Sequence, residues 1–291
     1  MATMLTGSTE FPLPASTAPA DRRGRLIAVA VQDADRDAAA LAWAAFDAVA
    51  GMDSVHVVHC YIPLHVDDCS WAPVTRARDD RRQAAKRIAA TAVQRLRAMR
   101  PGLTVDGSAI AGLPSDVVIE LSSVVDVVVV GADRPGRSIG TRHVALRVQE
   151  HARCPVVCVP AGHRLPDDGP PVTVVAGADG IPEAAMRFAA GYAHRHGVAL
   201  QVSRAWADLH EGDRPGATWL AHQQEELDAQ LASWRAAHPY VPISARIELE
   251  DDWLPGLAAH SGLLVVPGGS LAVDQRSADP AWLHCPTVVV P

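Results

Sequence analysis

The segment Gly131–Pro160, GADRPGRSIGTRHVALRVQEHARCPVVCVP, decides the fold of this chain. An apolar run, DVVVV at 126–130, stands directly before it and is typical of a buried central strand. The segment then supplies a loop with glycine and arginine, an amphipathic helix, and the closing strand Cys154–Pro160. This order predicts an open α/β sheet. Its loop leaves the carboxyl end of a parallel strand, where such sheets hold anions at a helix N-terminus.

The residues before that segment complete one α/β unit of alternating strands and helices. Apolar runs mark the strands, and apolar residues three or four apart mark the helices. The predicted elements are strand Arg25–Val31, a helix N-capped by Asp37 and stopped by Gly51, strand Val55–Tyr61, a loop over Pro63–Thr75, helix Asp79–Arg100, strand Leu103–Ile110 and a helix that begins after Gly112. The prediction is a doubly wound domain over residues 24–160. Residues 1–23 lack the build of a signal peptide and are interpreted as a disordered tail.

The second half of the chain repeats the first after a linker, residues 161–171, that is rich in Pro and Gly. The matching elements are Val172–Ala176, Pro182–His196, Ala199–Trp206, Trp219–Ala237, Ile243–Leu249, Asp252–Ala259, Leu263–Val266 and Cys285–Pro291. Residues 172–291 are therefore predicted to form a second, shortened domain. Its closing strand repeats the Cys-Pro start of Cys154–Pro160.

Composition and charge narrow the class of protein. The chain has 291 residues, 48% of them hydrophobic, and a net charge of −7. Residues 1–160 carry 18 Lys+Arg and 17 Asp+Glu and residues 161–291 carry 8 and 16, so the charges are +1 and −8. No basic stripe indicates a nucleic-acid partner, and no apolar run is long enough for a membrane span. Five cysteines without CxxC spacing favour a reducing cytoplasm.

Catalytic and metal motifs are not found in the sequence. GxSxG, HExxH, Walker A and GxGxxG are all absent, so no catalytic residue is assigned. His56 and His59 lie close in sequence, but strand alternation sends their side chains to opposite faces of the sheet. No metal site is therefore expected.

The joint order of several motifs resembles the universal stress protein family in its tandem, two-domain form. These motifs are Leu41-Ala-Trp43-Ala44, HVVHCY at 56–61, Gly112-x-Pro114, VVVVGADRPG at 127–136 and the closing Cys-Pro-Val. The resemblance covers nearly all of residues 24–291. It implies five-stranded parallel sheets with helices on both faces. Many members of the family bind ATP at the carboxyl edge of the sheet, and others act as regulators or adaptors in stress responses.

The resemblance also locates a nucleotide site in the first half. Members that bind ATP carry G-x-x-G, nine residues, then Gly-Ser or Gly-Thr, and an Asp after the first strand. The first glycine is Gly131, Arg134 stands at the second, and Arg142-His143 stands at the Gly-Ser or Gly-Thr pair. Gly140-Thr141, two residues upstream, supplies that pair only if the loop is shorter and the helix begins early. Gln32 replaces the Asp, so no carboxylate contact to a nucleotide is expected there. The loop arginines either grip phosphate in place of the lost glycines or are exposed to solvent. The candidate binding residues are Gln32, Gly131, Arg134, Gly136, Gly140, Thr141, Arg142, His143 and Val144.

The second half of the chain differs more from the family pattern than the first half does. Pro267 stands in place of Gly131, and the segment up to the closing Cys-Pro is five residues shorter, since 285 − 267 is 18 and 154 − 131 is 23. Asp179-Gly180 matches the family's Asp-Gly but has no phosphate loop beside it. Nucleotide binding is therefore not expected in this half.

These observations lead to one main hypothesis and two alternatives. The main hypothesis is a cytoplasmic regulator or adaptor of the universal stress type that binds an unknown protein partner, with weak ATP or AMP binding left open in the first half. The strands Cys154–Pro160 and Cys285–Pro291 are expected to pair within the molecule as a pseudo-dimer, which would cover both edges. The alternatives are a nucleotide-free interaction scaffold and an enzyme that hydrolyses ATP or transfers a nucleotide.

Overall fold

The structure, a computed structural model, describes nine stretches of the chain. They are residues 24–49, 52–63, 72–132, 147–165, 169–177, 180–205, 216–249, 253–268 and 285–291, with only the backbone described at 72–74. The predicted tail, residues 1–23, lies outside the described residues, as do parts of the linker and of both loops that follow the strands VVVV and LLVV.

The described residues contain ten strands and six complete helices. The strands are β1 Leu26–Ala30, β2 Ser54–Tyr61, β3 Thr104–Ala111, β4 Val127–Ala132, β5 Val156–Pro160, β6 Val172–Ala176, β7 Leu200–Ala205, β8 Ile243–Glu248, β9 Leu263–Pro267 and β10 Thr287–Val290. The helices are α1 Ala38–Asp47, α2 Ala72–Met99, α3 Pro114–Leu121, α4 Glu183–His196, α5 Ala217–Ala237 and α6 Trp253–His260. Residues 147–151 are also helical. The α/β class predicted from the sequence is confirmed.

All ten strands form one sheet in the order β3-β2-β1-β4-β5-β10-β9-β6-β7-β8. Within each group of five the strands run parallel, and the two groups have the same order. They join where β5 and β10 pair antiparallel, with Val157 opposite Val288. The closing strands therefore meet inside one chain, as the sequence analysis expects. An antiparallel contact between two copies of the same strand is the geometry of a two-fold dimer interface.

The hydrophobic core continues across the joint. On one face, side chains of β1, β2 and β5 belong to the same cluster as side chains of β6, β7 and β10. Trp43 of α1 stacks on Tyr192 of α4 with 6.4 Å between ring centroids, and Phe46 stacks on His196 at 4.5 Å. Two aromatic side chains of α1 thus pack against the second half of the chain, while the helix also covers strands of its own half. Among the described residues, no helix has the length and apolar character needed to cross a membrane.

A buried ion cluster crosses the same joint. Asp47, at the end of α1, accepts hydrogen bonds from Arg25 (2.7 Å) in its own half and from Arg195 (3.1 Å) and His196 (3.0 Å) at the end of α4. Its side chain is fully buried. Burial by itself would raise the pKa of Asp47, but the His196 hydrogen bond and the two guanidinium charges hold it well below its usual range. The carboxylate therefore stays ionised inside the core.

Two predicted helix boundaries are wrong. α1 ends at Asp47, before the predicted stop at Gly51, because the Val49 amide donates to the carboxylate of Asp53 (3.0 Å). α2 begins at Ala72, inside the predicted loop Pro63–Thr75. Pro73 is compatible with this early start, since proline is tolerated in the first turn, where an N–H has no helical partner.

Candidate functional site

The loop after β1 is organised by the carboxylate of Asp37. This residue occupies the N-cap position of α1 as predicted, but its side chain makes no capping hydrogen bond. Instead Oδ2 accepts hydrogen bonds from the backbone amides of Gln32 (2.6 Å) and Asp33 (3.1 Å). These amides lie at the carboxyl end of a parallel strand, where an α/β sheet offers N–H groups to a ligand anion. An internal carboxylate therefore occupies an anion position.

Gly131 lies directly against that carboxylate. It continues β4 beyond Val130, and a Cβ placed on it would overlap Oδ1 of Asp37. Only a glycine lets Asp37 approach this closely. The ends of β1 and β4 are therefore closed over by a buried negative charge, since Asp37 is 8% exposed.

The cleft beside these residues is small and mostly apolar. Its volume is about 60 Å³, well below the range of roughly 300–1,000 Å³ of small-molecule pockets. Burial raises the pKa of the Cys60 thiol in its wall to about 12, so this sulfur is protonated at neutral pH. The lining residues are Ala30, Val31, Gln32, Asp37, Val58, Cys60, Pro114, Val118, Val130 and Gly131.

The rest of the loop after β1 adds negative charge and is fastened to α2. Oδ1 of Asp33 accepts hydrogen bonds from the amides of Asp35 (2.8 Å) and Arg36 (3.3 Å), which lower the pKa of Asp33. Arg95 of α2 bonds both the carbonyl of Ala34 and the carboxylate of Asp35. Three carboxylates within five residues outnumber Arg36 and Arg95, and the net negative charge of the loop disfavours a triphosphate.

The structure brings two of the predicted binding residues to one place. Gln32 and Gly131 both line the small cleft. Gln32 itself brings no carboxylate, but Asp37 turns back onto its amide and places one beside it. The sequence pattern predicted Asp37 as an N-cap residue and did not predict that its side chain bonds the Gln32 amide. The other candidates lie outside the described residues: Arg134, Gly136, Gly140, Thr141, Arg142, His143 and Val144.

A larger cavity, of about 490 Å³, lies in the second half. It is bounded by the face of β6, β7 and β8 and by α6, with Gln201, Arg246 and Glu248 in its wall. In the first half, α3 and the helical residues 147–151 cover the apolar part of this face. Its polar positions there are His56, Asp106 and Ser108 on β2 and β3. In the second half the same face borders the cavity.

The strand order defines the class of protein: an α/β protein with two parallel five-strand groups and a small cleft at the carboxyl edge of the first. Comparison with known proteins agrees with that class. No protein-family model matches the chain. The universal stress protein Rv2005c of Mycobacterium tuberculosis is 28% identical over an alignment that covers 92% of this chain and 97% of that protein.

Solved structures show the same fold. A universal stress protein from Archaeoglobus fulgidus covers 91% of this chain and 96% of its own length, with a TM-score of 0.62 and 13% identity. A protein of unknown function from Pseudomonas aeruginosa covers 91% and 92%, with a TM-score of 0.52 and 15% identity. The resemblance to universal stress proteins that the sequence motifs indicate is thus confirmed over most of the chain, and the solved structures show that the fold is shared.

Proposed function

We propose that this protein is a cytoplasmic regulator or adaptor of the universal stress type that acts on protein partners without a tightly bound nucleotide. The observation that carries the proposal is the position of Asp37. Its carboxylate uses the amides of Gln32 and Asp33 and lies against Gly131, where a phosphate group would compete with it. Like charges placed together at such a site cost several kcal/mol of binding free energy, so ATP or AMP binds weakly at best.

We further propose that residues 24–160 and 172–291 are two domains, joined by the linker 161–171 into a pseudo-dimer. The repeated strand order and the β5–β10 pairing support this division. With this pairing, β3 and β8 are the two edge strands of the ten-stranded sheet.

Calorimetric titration of the full chain with ATP and magnesium tests the nucleotide part of the proposal. We expect no saturable binding tighter than about 1 mM, which corresponds to roughly 4 kcal/mol. Asp37→Ser should bind ATP about a hundredfold more tightly than the wild type, because it removes the competing charge and frees the two amides.

Asp35→Asn is the matched control, since it removes one negative charge from the same loop but none from the cleft wall. An equal gain in Asp35→Asn would mean that general charge, and not the Asp37 position, limits binding. Micromolar binding to the wild type would overturn the proposal. Release of ADP from bound ATP would favour the alternative of an ATP-hydrolysing enzyme.

A further inference from the structure

Three polar side chains of the first half form a linear hydrogen-bonded cluster on one face of the sheet. His56 of β2 lies opposite Asp106 of β3, and Ser108 lies two residues further along the same strand. Nδ1 of His56 is 2.5 Å from Oδ1 of Asp106, and its Nε2 is 2.9 Å from Oγ of Ser108. The imidazole is 2% exposed. An aspartate, a histidine and a serine thus stand in the order that activates a serine nucleophile.

The carboxylate determines where the protons lie. An ionised aspartate only accepts hydrogen bonds, so Nδ1 of His56 carries the proton in its bond to Asp106. In the neutral imidazole Nε2 is then an acceptor, and Ser108 donates its hydroxyl proton to it. The serine oxygen is therefore bonded to a base that is ready to take its proton.

The fold does not require these three residues. β7 and β8 repeat β2 and β3, and their register pairs Gln201 with Ser244, as it pairs His56 with Asp106. Arg246 then takes the place of Ser108. The same sheet positions in the second half therefore hold Gln, Ser and Arg in place of His, Asp and Ser, and the strands pair in the same way.

Ser108 is accessible and has backbone donors beside it. It is half-buried on β3, which is the outermost strand of the sheet among the described residues. The Gly112 amide donates to Tyr61 of β2, so alternate amides of β3 face β2 and those between them face outward. The Ala109 amide, directly after Ser108, is one of the outward donors. A donor at this position suits an oxyanion formed on a group bound to Ser108.

We propose that Ser108 is an activated nucleophile that accepts acyl groups from activated esters, with His56 as its general base and Asp106 as the positioning residue. The Ser108 oxygen bonds to the carbonyl carbon and its proton passes to Nε2 of His56. The bond from that carbon to the alcohol oxygen then breaks, and the alcohol leaves with the proton. The acyl group stays on Ser108 until a water molecule, deprotonated by His56, releases it as a carboxylic acid.

Two probes test this with the full chain. p-Nitrophenyl acetate should give a burst of p-nitrophenolate, and a fluorophosphonate should modify Ser108, as located by peptide mass spectrometry. Ser108→Ala should remove both signals. His56→Gln should slow modification about 10²-fold or more, since a general base contributes that much. Ser123 is the internal control, because it is exposed and its hydroxyl donates to the Glu120 carbonyl, with no imidazole bonded to it among the described residues.

Asp106→Asn tests positioning separately from stability. The amide turns the imidazole to its other tautomer, so modification of Ser108 should slow while the circular dichroism spectrum is unchanged. The imidazole ¹⁵N spectrum of His56 should change between wild type and variant in step with this loss. Absence of an adduct on Ser108 in the folded wild type, modification of Ser108 no faster than Ser123, or an unchanged rate in His56→Gln would each overturn the proposal.

Discussion

Removal of the Asp47 carboxylate should weaken the joint between the two halves of the chain. This side chain is fully buried and bonded by Arg25, Arg195 and His196 at 2.7–3.1 Å. Asp47→Ala leaves two guanidinium groups and an imidazole without their shared anion. Two of these groups lie at the end of α4 and one precedes β1, so the loss affects both sides of the joint.

The expected magnitude follows from the burial of the carboxylate. Removal of one partner of a buried ion pair costs about 3–5 kcal/mol of unfolding free energy, because charge is left uncompensated. Urea unfolding of Asp47→Ala, followed by circular dichroism, should show a loss of this size. In the double mutant Asp47→Ala, Arg195→Ala the two losses should not add, with a coupling of roughly 1–3 kcal/mol.

Asp79→Ala provides the control for this experiment. Asp79 also pairs with an arginine, Arg82 at 3.0 Å, but more than half of each side chain is exposed. Its loss should cost less than about 1 kcal/mol. If Asp47→Ala were no more destabilising than Asp79→Ala, the cluster would contribute nothing to the joint and the reasoning would be refuted.

Three further predictions concern acid stability, close packing and thiol reactivity. The pKa of Asp47 is lower in the folded than in the unfolded chain. The stabilisation that its ionised carboxylate provides is therefore complete above the unfolded value of about 4 and is lost as the pH falls below it. Between about pH 4 and 2, urea titrations should show a smaller loss of stability for Asp47→Asn than for the wild type. Gly131→Ala should cost about 1–3 kcal/mol of unfolding free energy, because the added methyl group overlaps Asp37. Adding the second change Asp37→Ala should restore part of this loss. An equal loss with and without the Asp37 side chain would contradict the contact. Burial raises the pKa of three thiols to about 12, so iodoacetamide at pH 8 should spare them until urea is added, as mass spectrometry would show: Cys60, Cys154 and Cys285.

The strands were predictable because their cause is local. A parallel strand covered on both faces must be apolar at every position, and the run Val127–Val130 meets that condition without reference to other residues. The shared Cys-Pro start of the closing strands likewise exposed the duplication, and with it the pairing of β5 with β10. Helix ends were less predictable. The end of α1 depends on Asp53, which lies beyond the helix and bonds the Val49 amide.

The candidate sites were predictable only in part. The sequence located Gly131 and Gln32 at the carboxyl edge of the sheet, because both follow recognisable strands. It assigned Asp37 to the helix cap, because an aspartate directly before a helix is typical of an N-cap. The cluster of His56 with Asp106 and Ser108 joins residues 50 and 52 positions apart, and no local pattern connects them.

The sequence by itself determined the α/β class, the two repeats and the resemblance to universal stress proteins, because these depend on apolar runs and on motif order along the chain. Only the tertiary structure decided which polar groups meet. Strand register sets His56 beside Asp106, and the turn before α1 places Asp37 on the Gln32 amide. The packing of α1 on α4 buries Asp47 among cations from both halves. Each of these contacts depends on the three-dimensional path of the backbone, through strand register, a turn or helix packing, which periodicity and composition do not contain.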